Sequence, residues 1–246
     1  MMHRFFVTAG CVREEQVEFT EDQRKQMRNV LRLRAGDVVA AQDGSGREFV
    51  VKIGELSAGR AAGEIMEIRT PDTEPPVRLT VIQGLPKGEK LDFILQKCTE
   101  IGAAEFVIME CARSVPRVAS GKLPARLLRW NAIVREAAEQ SGRTRLPTVE
   151  GILSFEAAVA RAKMCDTGFI AWEGERETTL LSRMPRIRLA GTVAYLVGPE
   201  GGFTEEEVSR ARAEGILPVS LGPRVLRAET AAMVGAALII YGTAAS

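Results

Sequence analysis

Two arginines and a glutamate stand close together in the stretch LGPRVLRAET: Arg224, Arg227 and Glu229. An apolar run, LPVSLG, precedes them, and an alanine-rich helical pattern, ETAAMVGAALIIYG, follows. Arginine is permanently charged and presents a planar set of donors, so it suits a group that carries or develops negative charge. A second stretch, VGPEGGFTEEEV, lies between the apolar run VAYLV and an acidic helix start. Its Gly198, Gly201 and Gly202 can let backbone approach a ligand closely or take a positive φ. No lysine and Ser/Thr pair follows these glycines, and their spacing is not G-x-G-x-x-G. A phosphate cradle is therefore not signalled, and a plain strand-to-helix turn remains the alternative. The third feature is basic. Between Arg113 and Arg145 stand eight Lys or Arg against two Glu, in a chain of net charge +1. Such a stretch reads either as phosphate contacts to a nucleic acid or as a solvated helix face. Lys87 and Lys90 in KGEK could add to it.

Other chemistries are excluded by counting. The chain has one histidine, His3, and four cysteines without a C-x-x-C pair. A histidine-based triad, a poly-histidine metal site and a zinc ribbon are therefore not expected. Cys11, Cys98, Cys111 and Cys165 are expected to be buried free thiols of a reducing compartment. Apolar residues make up 46% and charged residues 26% of 246, as in a globular protein with a real core. No apolar run approaches the roughly 18 residues of a membrane helix, and the N-terminus does not read as a signal peptide. A cytoplasmic protein without membrane or metal partners is expected.

The elements that must position these residues change character along the chain. Residues 1–70 carry short β runs (RFFV, DVVAAQ, REFVVKIG, AAGEIMEI) separated by DGSG and SAG turns. One helix interrupts them, with Thr20 and Gln23 as a capping box ahead of RKQMRNVLRL. This pattern predicts a small β-barrel. Residues 71–77 are proline-rich and read as a linker. From 78 to 246, strands alternate with helices, beginning with LTVIQGL and KLDFILQKCTEIG, which predicts an α/β fold with a mostly parallel sheet covered on both faces. Ligands of such sheets bind at the carboxyl ends of the strands. The loops after Trp172, Val197 and Leu221 are placed there.

Six stretches, in order, carry a resemblance: HRFFV, VLRLRAGD, KGEKLDFILQKCTEIG, RWNAIVREAAEQSGR, VGPEGGFTEEEV and LGPRVLRAETAA. Together they resemble the bacterial 16S ribosomal RNA uridine-N3 methyltransferases over nearly the whole chain. The resemblance implies a C-terminal trefoil-knotted domain of the SPOUT class, a small N-terminal PUA-like β-barrel for RNA, and a homodimer. It implies S-adenosylmethionine as cofactor, held by three loops: Ala171, Trp172 and Glu173; then Leu196, Val197, Gly198, Pro199, Glu200, Gly201 and Gly202; then Ser220, Leu221, Gly222, Val225, Leu226, Thr230 and Ala231. The substrate implied is 16S rRNA within the small ribosomal subunit. His3, Arg4, Arg32, Lys87, Lys90, Arg113, Arg117 and Arg143 are the residues expected to touch it. Arg227, with Arg224, is expected to stabilise charge on the uridine, and Glu229 to orient an arginine or accept a proton. Methylation of a ribose 2′-OH or another base, and a non-enzymatic role in ribosome assembly, are the competing readings.

Overall fold

The computed structural model describes residues 2–115 and 120–244, so Arg117 lies outside the described residues. The chain forms two compact units. The first takes the residues up to Glu74 together with Ala138–Leu146. Its strands are β1 (Arg4–Phe6), β2 (Val12–Arg13), β3 (Gln16–Glu18), β4 (Val38–Gln42), β5 (Glu48–Leu56) and β6 (Ala61–Arg69). They hydrogen-bond in the order β1-β4-β5-β6-β3-β2, with β1 and β4 parallel and the other pairs antiparallel. Alternate residues turn inward, as the two-residue period of a strand requires. Val39 and Ala41 of β4 meet Phe49, Val51 and Ile53 of β5 in one apolar cluster with Phe5, Val17 and Met27.

Helix α1 (Glu21–Lys25) begins at the expected capping box: the Gln23 amide donates to Thr20 Oγ1, and the Thr20 amide donates to Gln23 Oε1 at 3.0 Å. The apolar pattern predicts helix through Leu33, but the helix ends earlier. A π-helical turn (Gln26–Val30) closes it, and Arg32 takes a left-handed φ of 56°. An L side chain there costs about 1–2 kcal/mol, and a glycine is the usual solution.

The second unit begins at Pro75, inside the stretch read as a linker, and is interrupted by Ala138–Leu146. Glu74 is fixed within the first unit. Its carboxylate pairs with Arg143 at 2.7 Å and accepts the amides of Thr144 and Arg145.

The elements of the second unit are β7 (Arg78–Gly84), α2 (Lys90–Ile101), β8 (Glu105–Glu110), α3 (Leu123–Ser141, whose end belongs to the first unit), β9 (Thr148–Ser154), α4 (Phe155–Ala162), β10 (Thr167–Ala171), α5 (Met184–Ile187), β11 (Thr192–Val197), α6 (Glu205–Ala213), β12 (Leu217–Val219) and α7 (Ala228–Ala244). Its six strands are all parallel, in the order β12-β10-β11-β7-β8-β9. Ile82, Ile170, Ala194 and Leu196 pack with α4 and α6 on one face. Residues of opposite parity turn to the other face, where the buried Tyr195 donates to the Ala231 carbonyl of α7 and α7 packs on α2. The expected parallel α/β sheet, covered on both sides, is present.

The strand order gives the ligand side its place. β7, β8 and β9 run outward in one direction, and the chain then returns to add β10, β11 and β12 on the other side of β7. The order therefore reverses between β7 and β11, and a crevice forms at such a reversal, at the carboxyl ends of the strands. The loops after Gly84 and Val197 meet there: a Cβ on Gly84 would lie 2.6 Å from the ring of Pro199.

Only part of the cysteine expectation holds. Cys98 and Cys111 are buried, and burial pushes each thiol up to about 12. Cys11 and Cys165 are half-exposed. Burial also pushes the Cys165 thiol up, so iodoacetamide applied to the native protein near pH 8 is expected to label Cys11 first, Cys165 more slowly, and to spare Cys98 and Cys111, because the thiolate is the reactive form. Peptide mass spectrometry showing early labelling of Cys98 would contradict this.

Candidate active site

The glycine loop after β11 is held from three directions. A tight turn, Gly202 amide to Pro199 carbonyl at 2.9 Å, sets its shape, and Gly202 adopts φ 66°. A side chain at Gly202 would also collide with the Glu173 carboxylate, 2.8 Å from its Cβ position. From below, the fully buried Gln83 of β7 donates Nε2 to the carbonyls of Gly84 (2.9 Å) and Gly198 (3.2 Å). From the α2 side, the Lys87 amide donates to Glu200 Oε1 at 3.1 Å and Lys90 Nζ lies 2.9 Å from the same oxygen. Burial works against the Glu200 charge, but Lys90 and the surrounding amides outweigh it and hold the carboxyl below its usual range. From the β8 side, Arg113 donates to the carbonyls of Gly201 (2.9 Å) and Phe203 (3.3 Å). The loop then enters α6 through a second capping box, Thr204 with Glu207, and the buried Glu207 also accepts the Ala112 amide.

The loop after β12 is built differently. Ser220 Oγ bonds the amide and carbonyl of Gly222, whose φ is 116°. The Ala231 amide then donates to the Arg227 carbonyl at 2.8 Å, so Arg227 sits at the mouth of α7 and Glu229 in its first turn. A carboxylate there is favoured by the unpaired amides of the helix start.

These loops enclose one cavity of about 420 Å³. From the β10 loop come Ala171 and Glu173; from the β11 loop, Val197, Gly198, Pro199, Glu200, Gly201 and Gly202; from the β12 loop and α7, Val225, Leu226, Arg227, Ala228 and Ala231. Lys90 closes it from α2. Other residues named for this site stand apart. Leu196 is wholly buried in the sheet core, and Trp172 packs against the same cluster. Leu221 and Thr230 are partly buried outside the lining. Ser220, Gly222 and Arg224 line a second cavity of about 350 Å³, which shares Glu173 and Val225 with the first.

Several roles change. Lys90, expected on RNA, instead bridges the glycine loop and the start of α7: it pairs with Glu200 and lies 3.9 Å from Glu229 Oε2. That Glu229 oxygen is buried without a hydrogen-bond partner. No ion pair joins Glu229 to Arg224 or Arg227 among the described residues, so the arginine-orienting role is not what the geometry provides. Arg143, expected on RNA, is 4% exposed and held by Glu74. Arg4 pairs at 3.0 Å with the buried Glu48. Arg129 of the basic stretch pairs with Asp92. Arg113, Arg129 and Arg143 of the stretch are thus engaged within the protein. His3, Arg32 and Lys87 are exposed. Sequence reasoning missed Gln83 altogether, though it stands at the end of the first strand of the sheet, just ahead of the KGEK turn.

Arg113 illustrates the consequence. Arg113→Ala removes two donors from the glycine loop, so cofactor affinity is expected to fall about tenfold, the size of one or two charge-assisted bonds. Calorimetric titration with S-adenosylmethionine checks this. An unchanged Kd would mean that the loop does not need the buttress.

Among the described residues, no group of three His, Cys, Asp or Glu could hold a metal ion, and no helix is long and apolar enough to cross a membrane.

Comparison with known proteins agrees with this geometry. The RNA methyltransferase domain family matches residues 73–240. Ribosomal RNA small subunit methyltransferase E of Bacillus subtilis (strain 168) is 31% identical, over 98% of this chain and 97% of its own length. The protein of the same name from Synechocystis sp. is 34% identical, over 97% and 77%. Among solved structures, a ribosomal RNA small subunit methyltransferase E from Neisseria gonorrhoeae, bound to S-adenosyl methionine, superposes with a TM-score of 0.87 at 33% identity over 97% of both chains. The chain belongs to the ribosomal RNA small subunit methyltransferase E family of RNA methyltransferases.

Proposed function

We propose that this protein transfers a methyl group from S-adenosylmethionine to N3 of a uridine in 16S rRNA. The observation that carries the reading is the single cavity in which the glycine loop, Arg227 and the Lys90–Glu200 pair meet, with an unsatisfied carboxylate oxygen of Glu229 3.9 Å from the same Lys90. The cavity suits the methyl donor. Val197, Val225, Leu226 and Ala231 give it apolar walls, and Gly198, Gly201 and Gly202 let a ligand approach the backbone closely. Glu173 and Glu200 bring negative charge to a cationic ligand. When bound, S-adenosylmethionine supplies an electrophilic methyl on a sulfonium.

The residues of the chain do the rest. Uridine N3 is a poor nucleophile while it carries its proton between two carbonyls. Arg227, donating to a carbonyl oxygen of the base, stabilises charge as the proton leaves. Glu229 Oε2 is the acceptor for that proton, because a buried carboxylate oxygen without a donor gains a hydrogen bond when an N–H arrives. Lys90 keeps the carboxylate in place. The loops hold the two reactants in line, which supplies the remaining acceleration.

In this reading the sheet domain is a SPOUT domain with a trefoil knot, the N-terminal sheet is a PUA-like RNA module, and two chains work as a cytoplasmic homodimer on the small subunit. Support comes from the six sequence stretches and from family membership. Labelled methyl transfer to small subunits lacking the modification, followed by nucleoside mass spectrometry, tests it. N3-methyluridine is the expected product. A 2′-O-methyl nucleoside, or no product from protein that binds S-adenosylmethionine, overturns it.

A further inference from the structure

The second cavity is not accounted for by the methyl donor. We infer that it is a phosphodiester subsite, in which Arg176 and Arg224 hold the RNA strand beside the target nucleotide. The inference rests on the reading of the chain as an RNA methyltransferase.

Its walls come from two segments that are pinned together. Thr179 and Ser220 form a parallel bridge, the Leu180 amide donates to the Ser220 carbonyl at 3.0 Å, and the Ser220 amide donates to the Thr178 carbonyl at 2.8 Å. Arg176 stands in the turn that leads into this bridge. The turn is shaped by Glu175, whose carboxylate accepts the amides of Glu177 (2.9 Å) and Thr178 (3.0 Å). Arg224 lies on the opposite wall, after Gly222 and Pro223. Both arginines are exposed, and neither guanidinium has an ion-pair or hydrogen-bond partner among the described residues. That separates them from the arginines of the basic stretch, such as Arg113, Arg129 and Arg143, which are engaged within the protein.

Of the two acids in the same cavity, one is already engaged. Glu175 is occupied by backbone amides and by Arg212 at 3.7 Å, and those amides hold its carboxyl low. Glu173 is shared with the first cavity and stands against Gly202 there. The remaining lining sets the Thr179 and Ser220 hydroxyls beside Gly222, Pro223 and Val225. Two unpaired guanidinium groups among hydroxyls match a phosphodiester, which takes charge-assisted, bidentate donors. Because the two cavities share Glu173 and Val225, a strand held in one continues into the other. Phosphate contacts of this kind fix the register of a nucleic acid without reading its sequence.

The test measures binding, so it does not depend on which nucleoside is formed. Unmethylated small subunits are titrated with wild-type protein, Arg176→Ala and Arg176→Lys at several salt concentrations, and S-adenosylmethionine affinity is measured on each protein alone. Arg176→Ala is expected to weaken subunit binding about tenfold and to reduce the salt dependence by about one phosphate contact, with cofactor affinity unchanged. Arg176→Lys should restore the salt dependence and only part of the affinity, because an ammonium cannot make the bidentate contact. Loss of cofactor affinity with intact subunit binding would assign the cavity to the methyl donor and overturn the inference. Wild-type subunit affinity and salt slope in Arg176→Ala would overturn it as well. If the subsite is absent but N3-methyluridine is formed, the proposed function stands without it.

Discussion

Arg227→Ala is expected to lower kcat for rRNA methylation about 10²–10³-fold, the effect of removing one donor aimed at developing charge. S-adenosylmethionine affinity should change little. Arg227 is exposed at the cavity mouth, and its guanidinium has no partner among the described residues. The glycine-loop wall is held by Gln83, Lys87, Lys90 and Arg113, none of which depends on Arg227. The loss therefore belongs to the step in which charge develops on the base, and it should appear in single-turnover rates at saturating cofactor. Arg227→Lys keeps the charge but not the planar donor set, so it should recover only part of the rate. Full turnover in Arg227→Ala would remove Arg227 from the chemistry. A matching loss of cofactor affinity would make it a binding residue instead.

What the sequence disclosed follows from how local each signal is. The capping boxes at Thr20 and Thr204 were legible because their donors and acceptors lie three residues apart. The parallel sheet was legible because apolar strands alternated with amphipathic helices. The three loops that line the cavity were legible because a parallel sheet opens its crevice at strand ends, and the glycines and arginines stood where those ends fall. Long-range pairing is what hid the rest. Arg143 reads as a free cation until Glu74, 69 residues away, is seen to bury it. Lys90 reads as a phosphate contact until Glu200, on a loop from another strand, takes its ammonium. The discontinuous first unit was hidden in the same way, since Ala138–Leu146 has no β pattern that links it to the N-terminal strands. Composition reports how many charges a segment carries, and only the fold reports which of them already have partners.

The small residues of α7 lead to the second large effect. Gly235→Ala is expected to destabilise the protein by about 1–3 kcal/mol through overpacking, and by about 1 kcal/mol more if the Tyr195 hydrogen bond is lost. A methyl at Gly235 would collide with the Tyr195 ring and hydroxyl. Tyr195 cannot yield. It is fully buried in β11, between β10 and β7, and its hydroxyl is committed to the Ala231 carbonyl at 3.1 Å. The helix must therefore move, and its first two turns carry Ala228 and Ala231 of the cavity wall, directly after Arg227. Stability and cofactor binding should fall together, with Tm lower by about 2–4 °C for each kcal/mol. Gly59→Ala is the control, because no atom lies within 4 Å of a Cβ at that exposed turn. Tyr195→Phe combined with Gly235→Ala should cost less than the sum of the two single changes, since both disturb the same contact. If Gly235→Ala melts like wild type and binds S-adenosylmethionine normally, α7 does not need the close approach, and the alanine-rich helix is ordinary core packing.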